Sequence, residues 1–185
     1  MYNYNSESDE AIIKAVKDGD IESFGILIER YKLHVYRLVY RMVHNRDNAE
    51  DLVQEVFIKA YIGLKGFKSG HKFTSWLYRI AMNHTLNFIK NEKKIELQSI
   101  ESVEFYSDGK DDPVQMVQEK ILKERIEKAI EQLPAEQRAV IILRVQEKLS
   151  YEEIGKVLNI SKGTVMSRLA RARQRLKEIL YEKRK

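Results

Sequence analysis

An all-α chain built as two small helical domains joined by an acidic linker is predicted by three observations. Apolar residues recur at helical spacing along almost all of the 185 residues. Only 8 glycines and 2 prolines are available to interrupt them. One internal stretch, residues 95–113, loses the pattern altogether. Hydrophobic residues at 43% supply a core, and charged residues at 33% supply a heavily charged surface. The absence of cysteine excludes disulfides and thiolate-bound metals. The opening "MYNYNSESDEAIIKAVKDGD" is polar and acidic and does not read as a signal peptide. No apolar run approaches the roughly 20 residues that span a bilayer, so a cytoplasmic protein without membrane insertion is expected.

The first domain, residues 1–94, carries helical patterning from about Asp9 to Asn91 with brief breaks. One break, "HNRDNAED", places Asp47 as an N-cap with Glu50 three residues later. In the helix that follows, Ala49, Leu52, Val53, Val56 and Ala60 form the core stripe. The opposite face gathers Asp51, Gln54, Glu55 and Ile58, and an isoleucine set among acids fits a protein partner as well as a solvated acidic face. A second break, "GLKGFKSGHKF", holds Gly63, Gly66 and Gly70 and reads as a loop.

The next helix, "FTSWLYRIAMNHTLNFIKNEKK", has a core stripe of Leu77, Ile80, Ala81, His84 and Phe88. Arg79, Asn83, Leu86 and Lys90 line its other side, with Trp76 at the edge. Basic and amide groups beside Phe67, Phe73 and Trp76 fit a single-strand surface, where aromatics stack on bases while cations follow the backbone. Phe73 and Trp76 read better as core, whereas Phe67, within the loop, does not.

The linker, residues 95–113, carries six acids against Lys110 alone. Helical pattern returns at Val114 and opens the second domain, residues 114–185. "LSYEEIGKVLNISKGTVMSRLARARQRL" has the layout of a helix-turn-helix. Ser150 and Glu153 form a capping box for the first helix, and Ser161 caps the second. Val165, Leu169, Ala172 and Leu176 share the inner stripe and face Val140, Ile141 and Leu143. The outer side presents Gly163, Thr164, Ser167, Ala170, Arg171 and Gln174, flanked by Arg168 and Arg175, with Arg173 on the far shoulder. Small and hydrogen-bonding residues near a helix N-terminus suit a major groove, and the flanking arginines suit phosphates. Residues 161–185 hold nine Lys/Arg and two Glu, a net +7 that leaves the rest of the chain at −2. A basic end of this kind suggests a surface that faces a polyanion, the other reading being a frayed, solvated C-terminus.

His34, His44, His71 and His84 show no metal-ligand spacing, and no nucleophile-elbow or P-loop sequence is present. No cofactor, metal, small-molecule substrate or catalytic residue is expected.

Taken together, "AEDLVQEVFIKAY", "FTSWLYRIAMNHTLNFI" and "LSYEEIGKVLNISKGTVMSRLARARQRL", in that order, resemble an extracytoplasmic-function (ECF) sigma factor of bacterial RNA polymerase. The resemblance covers nearly the whole chain. It implies that the first domain is sigma region 2 and the second is sigma region 4, which reads the −35 duplex. Asp51, Gln54, Glu55 and Ile58 would dock on the β′ clamp helices of core polymerase, with the β flap as a further partner. The glycine loop and following helix would open the −10 element. Phe67 and Asn83 match positions lining the pocket for a flipped base, Trp76 lies beside it, and Lys68, Arg79 and Lys90 are the phosphate candidates. On the −35 side the resemblance assigns Lys162, Thr164, Met166, Ser167, Arg168, Ala170, Arg171, Gln174 and Arg175. Met166 and Ala170 depart from the family's usual larger or basic residues and shift weight to Ser167 and Arg171. Gly155 stands where alanine is common. The linker acids Glu101, Glu104, Asp108, Asp111 and Asp112 would lie near the RNA exit path. An anti-sigma factor, often membrane-anchored, would hold the protein inactive. The alternative is a helix-turn-helix regulator that acts without joining the polymerase.

Overall fold

The structure is a computed structural model and describes residues 7–68, 70–96 and 114–182. Among these it forms eight α-helices and one 3-10 turn. The linker acids lie outside the described residues.

Helix α1 (Asp9–Lys17) starts at Ser8, whose Oγ accepts from the Ala11 amide, and buries Ile12 and Ile13. Asp9 on its first turn pairs with Arg30 and accepts from the Tyr31 hydroxyl, which ties α1 to α2 (Ser23–Val43). α2 ends where His44 adopts a left-handed conformation (φ 54°) and its N–H returns to the Tyr40 carbonyl.

Helix α3 (Arg46–Gly63) begins earlier than its sequence predicts. Asn45, not Asp47, is the N-cap: its backbone is extended, and its side chain accepts from the Asn48 amide at 2.9 Å. The left-handed turn at His44 resets the chain so that Asn45 is the first residue in capping geometry. Asp47 instead lies in the first turn, where its charge suits the helix dipole. Ala49, Leu52, Val56 and Ala60 are buried as expected, and so is Phe57.

After the 3-10 turn (Leu64–Gly66), the loop passes Gly70 at φ +84°, a conformation that favours glycine, and enters α4 (Phe73–Glu96). α4 continues through residues 95 and 96, two residues into the segment read as linker. It buries more than one stripe: Leu77 and Ala81 are joined by Tyr78, Met82 and Thr85, while Ile80, His84 and Phe88 are half-buried. The cause is a second neighbour. α2 and α3 pack on one side of α4, and α7 packs on another.

The second group comprises α5 (Val114–Glu131), α6 (Ala135–Val145), α7 (Tyr151–Leu158) and α8 (Lys162–Glu182). α6 is its apolar centre, with Ala139 through Leu143 all buried. The Ser150–Glu153 capping box opens α7, with both reciprocal hydrogen bonds in place. Asn159, left-handed at φ 54°, then turns the chain toward α8. A β-carbon at Gly155 would lie 2.8 Å from the Ile160 carbonyl oxygen, so the turn closes directly on bare backbone. Any side chain at this position would force the turn backbone to shift.

Candidate nucleic-acid interface

Ser161 starts α8 by accepting from the Thr164 amide at 3.1 Å, and its Oγ lies 2.9 Å from Thr164 Oγ1. Val165, Leu169 and Ala172 are buried and Leu176 is half-buried, so the inner face is the one the wheel places inside. Gly163, Met166, Ser167, Ala170, Arg171, Gln174 and Arg175 are exposed, and Met166 is 51% exposed. Ser167 Oγ donates to the Thr164 carbonyl, Gln174 to Glu178, and Lys162 to Glu152. The Lys162 ammonium lowers the Glu152 carboxyl below its usual range.

The arginines of α8 divide by their partners. Arg168 is half-buried and held 2.7 Å from Glu136 of α6, which turns its charge toward the fold. Among the described residues no carboxylate reaches ion-pairing distance of Arg171, Arg173 or Arg175. Arg171 thus stands outward, surrounded by small residues, as a donor fork available to a base edge.

The second candidate surface is an open cleft of about 580 Å³ between the glycine loop and α4. Lys68, Trp76 and Arg79 line it together, joined by His71 and Lys72, to which the sequence gives no place in this surface. The expectation that Phe67 stays outside the core is corrected. It is 5% exposed, with its ring 5.2 Å from Trp76 and 5.9 Å from Phe73, both edge-on. The 3-10 turn folds the loop back over α4, and Lys17 fixes it by donating to the Phe67 carbonyl at 2.6 Å. Phe67 therefore floors the cleft from below, and half-buried Trp76 is the aromatic nearer its mouth. Asn83 and Lys90 are exposed farther along α4 and do not line the cleft.

On α3, Asp51, Gln54, Glu55 and Ile58 share the exposed face as expected. Ile58 is 58% exposed, and Ile62, absent from the sequence-derived set, is 69% exposed one turn on. Glu55 lies 2.7 Å from His84 Nε2, which ties this face to α4.

The Sigma-70 region 2 family matches residues 27–95, and the Sigma-70 region 4 family matches residues 123–176. The ECF RNA polymerase sigma factor SigW of Bacillus subtilis (strain 168) is 39% identical over 178 residues, covering 92% of this chain and 95% of that protein. The chain belongs to the ECF sigma factors. A second relative of this sigma factor, the ECF RNA polymerase sigma-E factor of Escherichia coli (strain K12), is 36% identical over 175 residues and covers 90% and 91% of the two chains. Among solved structures, the sigma factor RpoE in complex with the anti-sigma factor NepR from Bartonella quintana matches with TM-score 0.66 at 27% identity, covering 86% and 98%. CnrH in complex with the cytosolic domain of CnrY matches with TM-score 0.69 at 21% identity, covering 95% and 99%, and shares the fold. Membership in this family sets aside the reading of a regulator that works apart from polymerase.

Among the described residues of this sigma factor, no helix is long and apolar enough to cross a membrane, and no cluster of acids and histidines could hold a metal ion.

Proposed function

We propose that this sigma factor binds core RNA polymerase and directs it to promoters by reading two DNA elements with separate surfaces. The outer face of α8, centred on Arg171 with Ser167, Gln174 and Arg175 around it, reads the −35 duplex. The α4 side of the first domain holds the −10 non-template strand, with Trp76 as the stacking ring, Lys68, Arg79 and Lys90 on phosphates, and Asn83 on an unpaired base. Residues 1–94 and 114–185 act as the two functional units, and residues 95–113 join them. Because both surfaces sit on one chain, the second contact is intramolecular once the first is made. Strand separation follows from tighter binding to the open strand, and the sigma factor changes no bond itself. Its work is cytoplasmic. The structural neighbour that carries an anti-sigma factor supports control of this chain by a protein of that class.

The observation that carries this reading is the arrangement of an outward basic recognition helix and a separate cationic, aromatic cleft on a chain 39% identical to an ECF sigma factor. Core binding is assigned to the exposed α3 face, where apolar Ile58 stands among acids. Ile58→Glu is expected to weaken association with core polymerase by roughly tenfold or more, measured by fluorescence anisotropy, while the fold is retained because the side chain is exposed. Unchanged affinity would remove this face from the polymerase contact.

A further inference from the structure

The outward side of α2 carries two adjacent stripes that the DNA surfaces leave unused. Tyr36, Tyr40 and His44 follow at i, i+4 and i+8, and His34, Arg37 and Arg41 follow beside them at i, i+3 and i+7. One buried apolar cluster runs through both helical groups. At its rim these stripes meet residues of α5 and the end of α6 in two open clefts of about 270 and 370 Å³. Arg37, Arg41 and Gln146 line both clefts, so the two join as one groove.

The larger cleft is the cationic end, where His34, Arg37 and Arg41 stand with Gln146 and Glu147. Among the described residues no carboxylate lies within ion-pairing distance of Arg37 or Arg41. Glu147 is already engaged, since the Tyr78 hydroxyl donates to it at 2.6 Å. Two guanidinium forks one helical turn apart suit neighbouring phosphates. The smaller cleft is the aromatic end. Tyr36 and Tyr40 stack there with centroids 5.9 Å apart and planes at 15°, and Tyr40 is 40% exposed. Ile130 and Ile142 add apolar lining, and Glu127, Glu131 and Gln146 supply acceptors. Gln146 Oε1 is buried and has no hydrogen-bond partner among the described residues. Glu131 lies 2.9 Å from His44 Nδ1 through one carboxylate oxygen and keeps the other.

We propose that this groove binds a purine nucleoside di- or triphosphate, with its base against Tyr40 and its phosphates on Arg37 and Arg41. The division of chemistry along the groove selects that class. A bare polyphosphate would meet the acids of the aromatic end and leave the tyrosines uncovered, and an uncharged aromatic would leave both arginines without an anion. A fused two-ring base covers more of the tyrosine pair than a single ring does, and its N–H groups suit the acceptors of Glu131 and Gln146. A DNA strand offers bases and phosphates as well, but its backbone would have to continue past Glu127 and Glu131, whereas a nucleotide ends at its base. The groove shares no residue with the cleft between the glycine loop and α4. Its walls come from both helical groups, so a bound nucleotide contacts both and stabilises the folded chain by mass action.

The test uses the full chain without polymerase, so that no nucleotide site of the polymerase contributes. Isothermal titration calorimetry with ATP and with GTP is expected to show one-site binding of at least one of them, with a Kd on the order of 100 µM or tighter. Arg37→Gln combined with Arg41→Gln is expected to weaken that binding about tenfold or more, and Tyr40→Ala about tenfold. Circular dichroism verifies that both variants keep their helices. Arg173→Gln, at an exposed cation of α8, controls for unspecific attraction to a basic chain and should change nothing. On the parent chain, tripolyphosphate alone and the matching nucleoside alone should each bind about tenfold more weakly than the nucleotide, and these two comparisons decide the matter if a variant loses its helices. Binding of neither nucleotide, equal weakening by Arg173→Gln, or tripolyphosphate or the nucleoside binding as tightly as the nucleotide would overturn the inference. Full displacement of the nucleotide by a random-sequence single-stranded DNA 12-mer would overturn it too, by making the groove part of a strand path.

Discussion

Side chains of the same type do different work here because of what sits beside them. Arg168 and Arg171 lie three residues apart on α8, yet Glu136 holds the first, while among the described residues no carboxylate pairs with the second. Arg171→Ala is expected to remove about 1–3 kcal/mol of discrimination among −35 sequences, read from equilibrium binding of the polymerase holoenzyme to a panel of −35 variants. An unchanged preference would show that Arg171 does not read bases. His44 shows the same dependence on surroundings at the domain seam. Burial and the nearby Arg138 guanidinium lower its pKa from 6.5 to about 4, partly offset by a hydrogen bond with the Arg41 backbone. The groups facing it are Tyr40 on its own helix, Glu131 of α5 and Arg138 of α6. A depressed imidazole pKa leaves His44's contribution to the folded structure intact above pH 6.5, and it is lost as pH falls from 6.5 toward 4. NMR titration of the full chain should give His44 a midpoint near 4. A midpoint at the unperturbed value would contradict its placement under α5 and α6.

At the level of helices, legibility followed the number of neighbours each one has. α8 packs by one stripe, so a helical wheel placed Val165, Leu169 and Ala172 inside and Arg171 outside without further information. The capping box before α7 was equally plain, because its four residues are contiguous. α4 was harder. Periodicity identifies an apolar stripe but cannot say that a helix from the far end of the chain covers another face, so the burial of Tyr78 and Met82 was not anticipated. Phe67 was misplaced for a related reason: a glycine-rich stretch reads as open loop, although the 3-10 turn and Lys17 press it onto Trp76. The exposed side of α4 survived that error, since Arg79, Asn83 and Lys90 all face outward. Asn83→Ala is therefore expected to leave −35 duplex binding intact and to impair opening. Permanganate footprinting of a holoenzyme–promoter complex should show weaker thymine reactivity across the −10 region. Full reactivity would separate Asn83 from strand capture.

For the molecule as a whole, the order of motifs was enough to place the family, because three faces with three different chemistries appear in one sequence. What the sequence did not carry was the relation between the two helical groups. His71 and Lys72 acquire meaning only when α7 is seen across the cleft, and Glu153 acquires a second partner beyond its own capping box. The central claim is that the two DNA surfaces function together once polymerase holds the chain. Run-off transcription from a library of promoter templates, with core RNA polymerase alone and with this chain added, tests it most directly. The account predicts transcripts that depend on the added chain, start at a subset of templates sharing −35 and −10 elements at fixed spacing, and disappear when either element is altered. Equal transcription with and without the chain, or stimulation indifferent to both elements, would contradict it.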